Sequence, residues 1–144
     1  MAIEGMVEER AEFEQGIRKW QQVEDVTIES CEALKDATDN VLVQTVADII
    51  RADSVKHKEV LGVILKTLDG TITLRPEELG SMSSMLENHL NIERDSISLA
   101  MDEMENSRNF VIRDLLFYLL EDERKHYKLL SQLNDFKRQL YPYG

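Results

Sequence analysis

Cysteine is almost absent from this chain: Cys31 stands alone among 144 residues. No intramolecular disulfide can form, and there is no Cys-x-x-Cys pair for metal or redox work. Proline and glycine are also scarce, two and six respectively, so little interrupts long helices. Cations are outnumbered, with 17 Lys and Arg against 28 Asp and Glu and a net charge of −11. Phosphate binding needs clustered Lys and Arg, which argues against nucleic acid and anionic membrane surfaces as partners. No apolar stretch approaches the roughly 18 residues that cross a bilayer. The first ten residues are charged and lack the apolar centre of a signal peptide, so the expected location is the cytoplasm.

What the chain has in quantity is helix-forming sequence. Apolar residues make up 42% and charged residues 31%, enough for one compact domain over 1–144 rather than a disordered chain. Spacing predicts four helices. The first covers about 7–36, with Phe13, Ile17, Trp20, Val23, Ile28, Cys31 and Leu34 inward. Thr38, Asp39 and Asn40 form a turn with capping residues. The second covers about 41–68, with Val46, Ile50, Val60, Leu61, Ile64 and Leu68 inward, and Gly70 stops it. Residues 71–83 alternate and contain Pro76, so they read as an extended link reaching roughly 40 Å. The third helix covers about 84–104, with Leu86, Leu90, Ile97 and Met104 inward. Ser107 is the expected N-cap of the fourth, about 108–140, with Leu115, Leu119, Leu129, Leu133 and Phe136 inward. The expected class is all-α: a four-helix bundle of two hairpins joined by one long crossover.

The two helix pairs repeat. Shifted by 69 residues, Glu24 falls on Glu93, Ile28 on Ile97, Asn40 on Asn109, Asp53 on Asp122, His57 on His126 and Leu61 on Leu130. The apolar positions Val23 and Ile92, Ile50 and Leu119, and Val60 and Leu129 also coincide. Glu24 and Glu93 each sit among apolar neighbours at helical spacing, as do His57 and His126. Glu123 lies one turn before His126 on the same face. An inward carboxylate is costly unless something compensates it, and a bound cation does so. Two pairs in register, each with 30 residues from its Glu to the next position, are far more specific than one Glu-x-x-His.

Ile92-Glu93-Arg94-Asp95 and Leu120-Glu121-Asp122-Glu123-Arg124-Lys125-His126 resemble the ferritin-like superfamily, and within it the rubrerythrin branch, over about residues 13–136. That resemblance implies an iron or manganese pair held by one Glu and one Glu-x-x-His from each half. Glu24, His57, Glu93, Glu123 and His126 would then be ligands, with Glu123 bridging. Asp53 and Asp122 would each hold the other half's histidine by its free ring N–H. The chain departs from the family in two respects. Ser54 stands where the first bridging glutamate belongs, and the four-cysteine rubredoxin-like module is missing. Five ligands of six imply about one iron, manganese or zinc per chain, with oxygen or peroxide as reactant.

Other residues admit simpler readings. His89, one turn before Glu93 and in register with Trp20, reads first as a core-edge histidine and second as an added ligand. Trp20 reads as core, and Cys31 as a buried thiol in the place of a family tyrosine. Lys56, Lys58, Arg124 and Lys125 read as solvated charge. Met82, Met85, Met101 and Met104, with Tyr141 and Tyr143, suggest a homodimer surface. The competing function, from a different class, is a non-catalytic helical protein that acts through its surface.

Overall fold

The computed structural model describes residues 2–70 and 75–140, with side chains over 3–70, 75 and 77–135. Four helices account for nearly all of them: α1 Ala2–Asp36, α2 Val41–Leu68, α3 Pro76–Asn106 and α4 Phe110–Leu140. No strand occurs among the described residues, so the all-α class and the four helices are as the sequence predicts. Two compact units share the chain, 1–73 and 74–144, and each is a helical hairpin. No helix is long and apolar enough to cross a membrane among the described residues.

The first hairpin is antiparallel. Arg10 meets Asp69 at 3.1 Å, Arg51 meets Glu32 at 3.0 Å and Lys35 meets Asp48 at 3.0 Å. Its seam is a heptad: Ile17, Glu24 and Cys31 on α1 are buried against Ala47, Ser54 and Leu61 on α2. In the second hairpin Leu79, Glu93 and Leu120 are buried, of which only Glu93 repeats a buried position of the first. In both, one glutamate occupies the middle of an otherwise apolar line.

The ends of the helices follow local chemistry. Asn40 Oδ1 accepts from the backbone N–H groups of Leu42 and Val43 at 3.0 and 3.2 Å, capping α2. At the equivalent place Asn109 Oδ1 accepts from Val111 and Ile112 at 2.9 and 3.2 Å. Asn109 is therefore the cap of α4, and the expectation of Ser107 is corrected: Ser107 closes α3 instead, its N–H donating to Glu103 at 3.2 Å. Gly70 ends α2 at a φ of 74°, a conformation that a Cβ disfavours.

The link between the hairpins is shorter than expected. Residues 76–83 are helical, so the third helix begins at Pro76 rather than Ser84. Proline suits the first helical position because its fixed φ is already helical and its missing N–H has no partner to lose. Glu77 and Glu78 favour the same end through the helix dipole, and Glu78 accepts from the Arg75 N–H at 3.2 Å. The extended reading of 71–74 lies outside the described residues.

The core is narrower than the sequence predicts. Phe13, Trp20, Val23, Leu34, Val46, Ile50, Val60, Leu119 and Leu129 are exposed rather than inward. Within each hairpin the buried positions follow one heptad seam, whereas the predicted stripes are wider than that seam. Ile28, Ile64, Leu68, Leu86, Leu90, Ile97, Met104, Leu115 and Leu133 are half-buried. The side chain of Phe136 and the tail tyrosines Tyr141 and Tyr143 lie outside the described residues. Met82, Met85 and Met101 are exposed.

Removing a cap costs about 1 kcal/mol. Asn40→Ala and Asn109→Ala should each lower the melting temperature, while Ser107→Ala should change it less than Asn109→Ala. Thermal melts followed by circular dichroism check the order, and a larger loss for Ser107→Ala would contradict the assignment.

Candidate metal centre

Each hairpin builds its group around the central glutamate. In the first, Glu24 is 8% exposed and takes three donors. The Trp20 indole N–H donates to its Oε1 at 3.0 Å from one turn back on α1. His57 Nδ1, from α2, lies 3.3 Å from the same oxygen. The third donor is the Ser54 hydroxyl, itself only 3% exposed. Burial alone pushes the Glu24 carboxyl up, but Ser54, Trp20 and His57 together hold it below its ordinary 4.5.

The second hairpin has the same frame with different chemistry. Glu93 is 6% exposed. His89 Nε2 lies 3.0 Å from its Oε1, in the place that Trp20 takes against Glu24. His126 Nδ1 stands 3.6 Å from that oxygen and 3.9 Å from Glu123 Oε2. Glu123 replaces Ser54, so the partner across the seam is a second carboxylate rather than a donor. Glu93 Oε2 consequently has no hydrogen-bond partner, alone among the buried side-chain polar atoms described.

Two neighbouring carboxyl groups do not both ionise easily, and their titrations move apart. The Glu123 carboxyl beside it holds Glu93 below its ordinary 4.5, against the effect of burial, with help from His89 and His126. The same contact, with burial and the Glu93 charge, holds Glu123 above 4.5. Ligand atoms of Glu93, Glu123 and His126 lie within 4.8 Å of one another. Ligands around one ion with bonds near 2.1 Å are roughly 3–4 Å apart, so small side-chain rotations close the group. Two carboxylates and an imidazole suit iron, manganese or zinc. Beside Glu123 an open groove of about 290 Å³ runs between α3 and α4, lined mainly by Leu99, Ala100, Leu116 and Leu119.

Of the predicted site residues, Glu93, Glu123 and His126 come together in α3–α4, and Glu24 and His57 in α1–α2. Asp53 is half-buried. Asp122 accepts from Lys125 Nζ at 3.3 Å on its own helix. Lys56, Lys58 and Arg124 also form surface ion pairs, with Glu59, Asp25 and Glu121, so the reading of solvated charge holds. Cys31 is buried as expected. Trp20 is a correction: its ring is half exposed, and its N–H serves Glu24. The signal was present in sequence as the four-residue step from Trp20 to Glu24, repeated from His89 to Glu93.

Compared with known proteins, the chain matches no family, no curated protein and no solved structure.

The two carboxyl shifts have opposite consequences for stability. Glu24, depressed, adds stability that is present above 4.5 and is lost as pH falls through its folded value. Ser54→Ala removes one of its donors, so it should cost about 1 kcal/mol and start the acid loss at higher pH. Glu123, raised, adds stability that is present below 4.5 and is lost as pH rises through its folded value. Glu123→Gln should therefore flatten the decline above 4.5 in metal-free protein. Melting temperature against pH checks both slopes.

Proposed function

We propose that this chain binds one metal ion through Glu93, Glu123 and His126, and that it is a ferritin-like protein of iron chemistry. The observation that carries the reading is the buried Glu93 Oε2, which has no partner, on a carboxylate whose neighbours are the Glu123 carboxyl and the His126 ring. Such a pair needs either a proton or a cation between its members. The metal would be iron, with manganese or zinc as the other fits for this donor set. Iron held there would supply electron transfer to oxygen or peroxide. The protein's own contribution is to fix two carboxylates and an imidazole from α3 and α4. The apolar groove beside Glu123 gives a small reactant access. A cytoplasmic setting and a homodimer built on the exposed methionines belong to the same proposal.

The first hairpin favours a stoichiometry near one rather than two. Glu24 already has Trp20, His57 and Ser54, so it has no need of a cation. The same self-sufficiency is what favours the competing reading, a non-catalytic helical protein acting through its surface.

Elemental analysis decides between them. Protein prepared without chelator should carry about one Fe, Mn or Zn per chain, following the three ligands gathered in α3–α4. Glu93→Ala or His126→Ala should remove it, and His57→Ala should matter less. Binding should weaken as pH falls, because Glu123 retains a proton that the metal must displace. No metal under any loading condition would leave the non-catalytic reading standing.

Ser54→Glu rebuilds in the first hairpin the Glu, Glu and His set of the second. Metal content should rise towards two per chain, and the metal-free protein should lose stability because two buried carboxylates then face each other. Metal should restore that loss by binding the folded state. Iron content and melting temperature, with and without metal, check it; unchanged values in both would mean that position 54 does not serve the site.

A further inference from the structure

His89 is not absorbed by the ligand set. Its Nε2 approaches Glu93 Oε1 to 3.0 Å, yet its ring is not among the groups whose ligand atoms converge within 4.8 Å. A carboxylate oxygen can only accept, so a contact this short requires hydrogen on Nε2. The two hairpins supply an internal comparison. At the matching place, one turn before the buried glutamate, Trp20 donates an N–H to Glu24 Oε1, also at 3.0 Å. An indole cannot ligate a metal or accept a hydrogen bond. The shared feature of the two residues is thus a ring N–H aimed at one oxygen of a buried carboxylate.

We propose that His89 is a positioning residue: its N–H holds Glu93 Oε1 and so leaves Oε2, the unpartnered oxygen, as the atom presented to the ion. The proposal rests on the reading of Glu93, Glu123 and His126 as a metal site. With Oε1 fixed from His89 and approached by His126, the carboxylate cannot turn freely about its last bond. Oε2 is then left buried and without a protein donor before any ion arrives. Hydrogen-bond partners of metal ligands typically change affinity about 10- to 100-fold when removed.

The test uses cobalt(II) alone as probe, with the full chain and four variants. His89→Phe keeps a flat ring without a donor, and His89→Ala removes both. His89→Trp supplies the donor that serves Glu24, and His89→Gln supplies an amide N–H. The unmodified protein should bind cobalt with one visible absorption spectrum. His89→Trp and His89→Gln should keep that spectrum and nearly the same affinity, while His89→Phe and His89→Ala should bind about 10- to 100-fold more weakly. Equal binding by His89→Phe and His89→Trp would overturn the positioning role. Weak binding and an altered spectrum in all four would make His89 a ligand and overturn it too. If His89→Phe or His89→Ala fails to melt cooperatively without metal, His89→Trp and His89→Gln decide: weak binding by both, with normal metal-free melting, overturns the proposal. No cobalt bound by the unmodified protein would instead bring down the metal site itself.

Discussion

A carboxylate buried in the middle of an apolar seam is the constraint around which each hairpin is arranged. Glu24 and Glu93 sit where a coiled-coil pair would ordinarily place Leu or Ile. Leaving either charge without partners would cost several kcal/mol, enough to threaten a domain of marginal stability. The residues one turn back, and those facing across the seam, are therefore chosen by what the carboxylate needs. Cys31, Ala47 and Ser54, small residues, share the buried seam with Glu24. Trp20 and His57 can then reach it from the flank while their rings remain largely in solvent.

The halves solve this shared problem differently, and the difference is confined to two positions. Ser54 against Glu123 exchanges a donor for an acceptor. Trp20 against His89 keeps the ring N–H and changes the ring. The result is one carboxylate fully served by protein donors and another that depends on a proton or an ion. Away from the centre the halves diverge more freely. The Lys58–Asp25 ion pair corresponds in place to the Arg94 hydrogen bond with Tyr127, 3.0 Å long. The pairs Glu32–Arg51 and Lys35–Asp48 correspond to Met101 with Leu120 and Met104 with Phe117. The exposed ion pairs of the first hairpin contribute about 0–1 kcal/mol each, so giving them up costs little, while Leu120 becomes a buried contact of the second.

Much of this was legible in the sequence because it is local. Helix formation from Val41 to Leu68 follows from propensity and from the Asn40 and Gly70 stops. The 69-residue repeat sets the phase of Glu24 and Glu93 twice and marks both glutamates as inward, where they are buried. Choosing Asn109 over Ser107 as the cap needed coordinates, since both are good capping residues and only the course of the backbone separates them. The start of α3 at Pro76 is hard to see in the sequence because the alternating Thr71-Ile72-Thr73-Leu74 runs up to a proline, which suits an extended link as well as a helix's first position.

The sequence alone therefore determined the four helices, their repeat and the two buried glutamates, since these depend on period, capping and spacing along one chain, but not the exposure of His57 and His126. Only the tertiary structure decided how wide the covered seam is, leaving Phe13, Trp20 and Ile50 exposed. It alone showed that Ser54 and Trp20 satisfy Glu24, that His89 serves Glu93, and that Glu93 Oε2 is left without a donor. Those facts turn on distances of about 3 Å between atoms on different helical turns and different helices, where hydrogen bonding is gained or lost over a few tenths of an ångström.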